Sequence, residues 1–243
     1  MTRILYAMPY SPWSERARFA LLHHACEFEE REHLPVIGEL ALRMRARRYF
    51  GRVSVPLLIE DNLVVMDSMA IAEHVDGIGS GSRLFPAEHR AAIHALNDQI
   101  EPMFQATRAR VVQTSQVDTE AAIDLVPPQL RSLPFAAASG RLGARIIAWK
   151  HPTPSGDYRP LLREGLERIR AALAGRRYIH GEFSYADIIG ASAVQQVAPV
   201  AERFVPIGPV KRRTWADPAL AAEFTDLVAW RDALYEKHRP VRS

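Results

Sequence analysis

The sequence predicts an α/β layer over residues 1–77, a short linker at 78–85 and an all-helical region over 86–243. Three observations predict it. Up to about residue 76, short apolar runs of strand character alternate with stretches of helical period. The stretch Gly77 to Ser82 (GIGSGS) then concentrates the residues that interrupt regular structure. Beyond Pro86 the strand signals largely vanish while the helical period continues. Hydrophobic residues make up 48% of the 243 and charged residues 24%, enough apolar material for a substantial core.

The elements follow in order. Arg3 to Ala7 (RILYA) is a short apolar run suited to a buried strand. From Pro12 to about His24, Phe19, Ala20 and Leu22 recur at helical spacing, with Arg16 and Arg18 towards the other face. Glu27 to His33 is polar and suits an edge strand, and Glu39 to Tyr49 reads as helix. Val55 to Ile59 and Leu63 to Val65 read as two strands joined by the polar turn Glu60-Asp61-Asn62. Asp67 then opens a helix through Ile71, Ala72 and Val75. Further helices are expected near 87–115, 118–131, 137–150, 158–175, 184–198 and 217–237. The breaks between them are Pro127-Pro128, His151-Pro152-Thr153-Pro154 and Pro206 to Pro209.

Composition narrows the function. The formal net charge of +3 makes no electrostatic case for nucleic acid. The run Arg43 to Arg48 lacks interleaved aromatics, so it reads as a solvated helix face; Lys211-Arg212-Arg213 reads as a solvated loop. No window approaches 18 uninterrupted apolar residues, so no membrane span is expected. The single cysteine, Cys26, allows no internal disulfide and reads as a packing residue. With no apolar leader in MTRILYAMPY, a cytoplasmic location is expected. The nine histidines show no His-x-x-x-His spacing, and no metal site is expected.

Three short stretches carry chemistry. Ser11-Pro12 is a helix start, serine as cap and proline at the first helical position. The same geometry offers unpaired N–H groups, the positive end of the helix dipole and a hydroxyl that can donate to a bound thiolate. Val55-Pro56 opens a strand; a trans bond is the ordinary case, and a cis bond would turn the Val55 backbone towards an extended peptide. Asp67-Ser68 caps the next helix and can equally hold the carboxylate and ammonium groups of a ligand.

The stretches Tyr10 to Leu21, Val55-Pro56-Leu57, Met66 to Glu73 and Tyr178 to Ile188, in that order, resemble the glutathione transferase family. The resemblance implies a thioredoxin-like N-terminal α/β domain followed by an all-α C-terminal domain. It implies glutathione as co-substrate. Ser11 would be the catalytic residue beside the thiolate, ahead of Tyr6 at the end of the first strand. Val55 would pair its backbone with the cysteinyl part, Pro56 would be a cis proline, Asp67 and Ser68 would hold the γ-glutamyl end, and the Arg43 to Arg48 run, if not only a solvated face, would supply a partner for the glycine carboxylate. Ser184-x-x-Asp187 would form a capping box with Asp187 buried. Trp13, Met103, Phe104 and Arg108 would either line the pocket for an electrophilic small molecule or serve as core or interface residues, and the chain would be a homodimer. Serine at positions 11 and 14 removes the sulfur that mixed-disulfide chemistry requires. The alternative is a glutathione-binding or scaffold protein of the same fold with little or no transferase activity, its middle segment at 115–160 serving a partner.

Overall fold

The computed structural model describes residues 2–35, 38–152 and 156–241. Thr153 and Pro154 of the expected break lie outside these residues. Strand β1 (Arg3–Ala7) is followed by α1 (Pro12–His23), β2 (Glu29–Glu32), α2 (Glu39–Arg45), β3 (Leu57–Glu60), β4 (Leu63–Met66) and α3 (Ser68–Ile78). The sheet order is β2-β1-β3-β4. Strand β2 runs parallel to β1 with Ile4 opposite Glu29, whereas β3 is antiparallel to β1 with Ile4 opposite Ile59, and β4 is antiparallel to β3. The polar β2 is therefore an edge, as its composition predicts.

Alternation along β1 divides the core. Leu5 and Ala7 belong to the main cluster, which includes residues of α1 and α3, while Tyr6 packs with Leu42 of α2, with Ala46 just beyond its end, and with Val53 and Leu57. Successive side chains leave opposite faces of a strand, so α1 and α3 cover one face and α2 the other.

The helical region comprises α4 (Arg90–Val117), α5 (Thr119–Asp124), α6 (Ala136–Lys150), α7 (Arg159–Leu173), α8 (Tyr185–Val194), α9 (Gly208–Trp215), α10 (Pro218–Glu223) and α11 (Thr225–His238). All ten residues of α8 are buried, which accounts for its small apolar composition (YADIIGASAV). Ser184 and Asp187 form the reciprocal capping box at its start, and Asp187 also accepts from the Ile179 N–H at 2.9 Å.

Several expectations are corrected. Arg16 and Arg18 are 1% and 6% exposed. Arg16 meets α8 and α4, its Nε donating to Ser192 Oγ at 2.7 Å and its Nη1 to Asn97 Oδ1 at 3.0 Å, whereas Arg18 donates from Nε to Glu30 Oε2 of β2 at 3.0 Å. Helix α2 ends at Arg45, and α3 runs through Gly77 to Ile78, the first residue of the expected linker. The single helix expected over 118–131 is a six-residue α5 plus a separate 3₁₀ turn at Pro128–Leu130, divided at Pro127. Lys211-Arg212-Arg213 lies on a helix, α9, which Pro209 opens near its first turn. The helix expected over 217–237 is two, interrupted at Phe224.

Candidate active site

Helix α1 begins where Pro12 has no N–H to lose and Ser11 supplies the cap in extended backbone (φ −74°, ψ 127°). The Ser14 N–H donates to Ser11 Oγ at 3.4 Å, and the Met8 N–H donates to Ser14 Oγ at 3.1 Å. Ser14 thus holds the loop that delivers Ser11. Because Ser11 Oγ acts here as an acceptor, its own hydrogen can still be donated to another group.

The Val55–Pro56 peptide is cis. The Asp67 N–H donates to the Pro56 carbonyl at 3.3 Å, so the approach to β3 and the start of α3 are joined directly. Asp67 Oδ1 accepts from the N–H groups of Met69 and Ala70 at 2.8 and 3.3 Å. Its φ of 83° is a conformation that side-chain-bearing residues seldom adopt.

These elements open onto one cavity of about 740 Å³. Ser11, Val55, Pro56 and Asp67 all line it; Ser68 is 2% exposed and is not part of the lining. Tyr6 is not part of it either: its hydroxyl accepts from Arg31 Nη1 at 3.4 Å and its ring lies under the Arg45 guanidinium on the α2 face. Of the expected electrophile pocket, Trp13, Phe104 and Arg108 line the cavity, with the Trp13 and Phe104 rings 5.6 Å apart. Met103 is 1% exposed and packs in the core beside Gly165, where an added Cβ would come within 2.5 Å of its sulfur.

The lining also holds residues that sequence reasoning missed. Val111 and Val112 of α4, Leu125, Ile147 of α6 and Trp215 of α9 form an apolar wall. Arg43, Arg52, Lys150 and His151 add basic groups. Arg43 is the exception to the miss, since it opens the basic run; the others come from segments with no shared motif. Burial, reinforced by Arg108, Arg52 and Lys150, pushes the His151 pKa down to about 4, so the imidazole is neutral near pH 7. Burial pushes the Tyr10 phenol up to about 12, and it stays protonated. Cys26 is buried in the main core cluster, and burial raises its thiol pKa, which makes it a packing residue with little nucleophilic character. Among the described residues, no group of three or more His, Cys, Asp or Glu is placed to hold a metal ion. None of their helices is long and apolar enough to cross a membrane.

Comparison with known proteins agrees with this architecture. Residues 5–83 match the family model for the glutathione S-transferase N-terminal domain. No curated protein sequence matches the chain. Two glutathione transferases from Phanerochaete chrysosporium superpose with TM-scores of 0.66 and 0.67 at 18% and 16% identity. The first covers 100% of this chain and 99% of its own, and the second 100% of both. A glutathione S-transferase from Ceriporiopsis subvermispora, solved in complex with glutathione, superposes with a TM-score of 0.60 at 17% identity, covering 100% of both chains. At such identities the likeness establishes the fold. Residues 5–83 thus form a glutathione S-transferase N-terminal domain, and the whole chain has the glutathione transferase fold.

Proposed function

We propose that this chain is a glutathione transferase that holds glutathione along Val55-Pro56 and stabilises its thiolate at Ser11 for attack on an electrophilic small molecule. One observation carries the reading: Ser11, Val55, Pro56 and Asp67, drawn from three separate motifs, line a single cavity whose other side is apolar. The γ-glutamyl end lies at Asp67 and the N-terminus of α3, where the carboxylate of Asp67 attracts an ammonium group and the Ser68 end of the helix attracts a carboxylate. Arg43 is the partner for the glycine carboxylate.

The chemistry is differential stabilisation of an anion. A free thiol titrates near ~8.5, so near pH 7 most of it is protonated. The α1 dipole and the Ser11 hydroxyl both favour the thiolate, and the proton leaves to solvent. The sulfur then forms a bond to the electrophilic carbon. A leaving group, where there is one, departs with its bonding pair. The cavity contributes positioning of two reactants beside one another.

The same reading carries a homodimer in the cytoplasm, where thiols stay reduced; the chain's one cysteine is buried and free. Calorimetric titration with glutathione, followed by conjugation assays against an electrophile panel, tests the reading. Binding with turnover that falls in Ser11→Ala supports it. Binding without turnover on the whole panel supports a glutathione-binding scaffold instead. Absence of glutathione binding removes the site assignment.

A further inference from the structure

The charges around the cavity point to a second ligand. This inference rests on the reading of the cavity as a glutathione site and names the class of the other substrate. Three carboxylates line the cavity, and each is engaged. Asp67 caps α3; Glu39 pairs with Arg43 at 3.3 Å and with Lys150 at 3.1 Å; Glu101 accepts from Trp13 Nε1 at 3.2 Å and from Gln105. Two guanidinium groups of the lining differ from Arg43 in this respect. Among the described residues, neither Arg52 nor Arg108 has a carboxylate within ion-pair distance.

Their surroundings increase the imbalance. Arg52 Nη2 lies 3.3 Å from His151 Nδ1, and the imidazole is neutral and uncharged near pH 7. Arg108 lies over the Trp13 ring at 4.5 Å and donates to Gln105 Oε1 at 2.8 Å, both neutral groups. Burial disfavours the charge on Arg108 most; the Glu101 carboxylate, though beyond ion-pair distance, offsets part of this, and Arg52 disfavours the charge further. A partly buried cation with no carboxylate in contact is costly, and the face of the Trp13 ring offsets only part of that cost. Arg108 projects from α4, the helix that also supplies Phe104 and Val111 to the apolar wall. An anion held there sits on the electrophile's side of the cavity.

We propose that Arg52 and Arg108 together bind a carboxylate carried by the electrophile, whose flat apolar body lies against Phe104, Val111 and Trp215. The preferred substrates are then apolar or aromatic acids bearing an electrophilic carbon. In a model reaction with 4-chloro-3-nitrobenzoate, the glutathione sulfur bonds to the ring carbon that carries chlorine. Chloride leaves with the bonding pair, the thiol proton passes to solvent, and the carboxylate is unchanged.

The test separates binding from turnover. 4-Nitrobenzoate and its neutral isostere 4-nitrobenzamide are titrated into the full-length protein, alone and saturated with S-methylglutathione. The acid is expected to bind at least about tenfold more tightly than the amide, as a charge-assisted hydrogen-bonded pair should. That preference should survive S-methylglutathione, approach unity in Arg108→Gln and in Arg52→Gln, and return in part in Arg108→Lys. Arg52 is exposed, so its variant folds even if Arg108→Gln does not. Equal affinity for acid and amide overturns the proposal. So does displacement of the acid by S-methylglutathione together with weaker S-methylglutathione binding in the two variants, because the arginines then serve the tripeptide's own carboxylate. Acid preference without any S-methylglutathione binding supports the carboxylate site and overturns only the glutathione reading.

Discussion

Arg239 Nε donates to Glu15 Oε1 at 2.8 Å, and both side chains are 2% exposed. The pair joins the first helix to the segment after the last, across 224 positions. Tyr235 adds a bond to Gln195 Oε1 at 3.0 Å, and Arg18 pairs with both Glu15 and Glu30, so the contact belongs to a buried network. Removing one partner leaves an uncompensated buried charge, so Glu15→Ala should cost about 3–5 kcal/mol. Urea unfolding monitored by circular dichroism measures it; a loss below about 1 kcal/mol would show that the network contributes little.

Ser11→Ala separates the cap from the chemistry. Losing a cap bond as long as 3.4 Å should cost at most about 1 kcal/mol of stability. The loss of a hydroxyl donor to the thiolate should lower kcat/KM by about 100-fold near pH 6.5 and move the pH–rate profile to higher pH. Rates at matched pH together with ultraviolet absorbance of bound thiolate check both. An unshifted profile would remove Ser11 from the thiolate.

Burial pushes the Asp187 pKa up to about 6, against the hydrogen bonds it receives from Ile179 and Ser184. A carboxyl with a raised folded-state pKa contributes stability that is complete below its unfolded value of about 3.9 and is lost as pH rises through about 6. Stability should therefore gain on the order of 3 kcal/mol from this group between pH 7 and pH 4. In Asp187→Asn the capping box is weakened, and this pH-dependent component disappears. Denaturation curves of both proteins across that range decide it.

His151 should titrate near 4 in a histidine NMR titration. Its depressed pKa contributes stability that is present above about 6.5 and lost as pH falls through about 4. In Arg108→Gln the midpoint should rise, because one neighbouring cation is gone, yet stay below 6.5 because burial, the larger cause, remains. A midpoint unchanged in the variant would separate the two groups.

Gly140 of α6 has no room for a side chain: an added Cβ would lie 1.9 Å from the Ala122 carbonyl oxygen of α5. Gly140→Ala should force these helices apart at a cost of about 1–3 kcal/mol. Gly143→Ala on the same helix, where nothing lies within 4 Å of the added Cβ, should be neutral or slightly stabilising. Paired thermal melts compare them.

Local chemistry made much of this chain legible. The change of period near residue 80, the caps at Ser11, Asp67 and Ser184, and Pro12 at a helix start are short-range signals, and each stands where its residues place it. The segment between residues 115 and 160 is less legible, because Pro127 divides a stretch of continuous helical period and because the α5–α6 contact depends on Gly140, which no periodicity reveals. The cavity shows the same division. Four of the five residues singled out for glutathione line it, since each belongs to a motif recognisable within a few positions. Arg52, Ile147, Lys150, His151 and Trp215 belong to no common motif and converge only because α6 and α9 pack against α4 and Arg52 reaches His151.

The sequence by itself determined the order of elements, the helix starts and the three short motifs, because capping, periodicity and proline geometry act within one or two turns. The tertiary structure alone decided that Arg16 and Arg18 are buried, that Met103 is core while Trp13, Phe104 and Arg108 face the cavity, and that among the described residues no carboxylate lies within ion-pair distance of Arg52 or Arg108. Burial and charge balance depend on which distant segments meet.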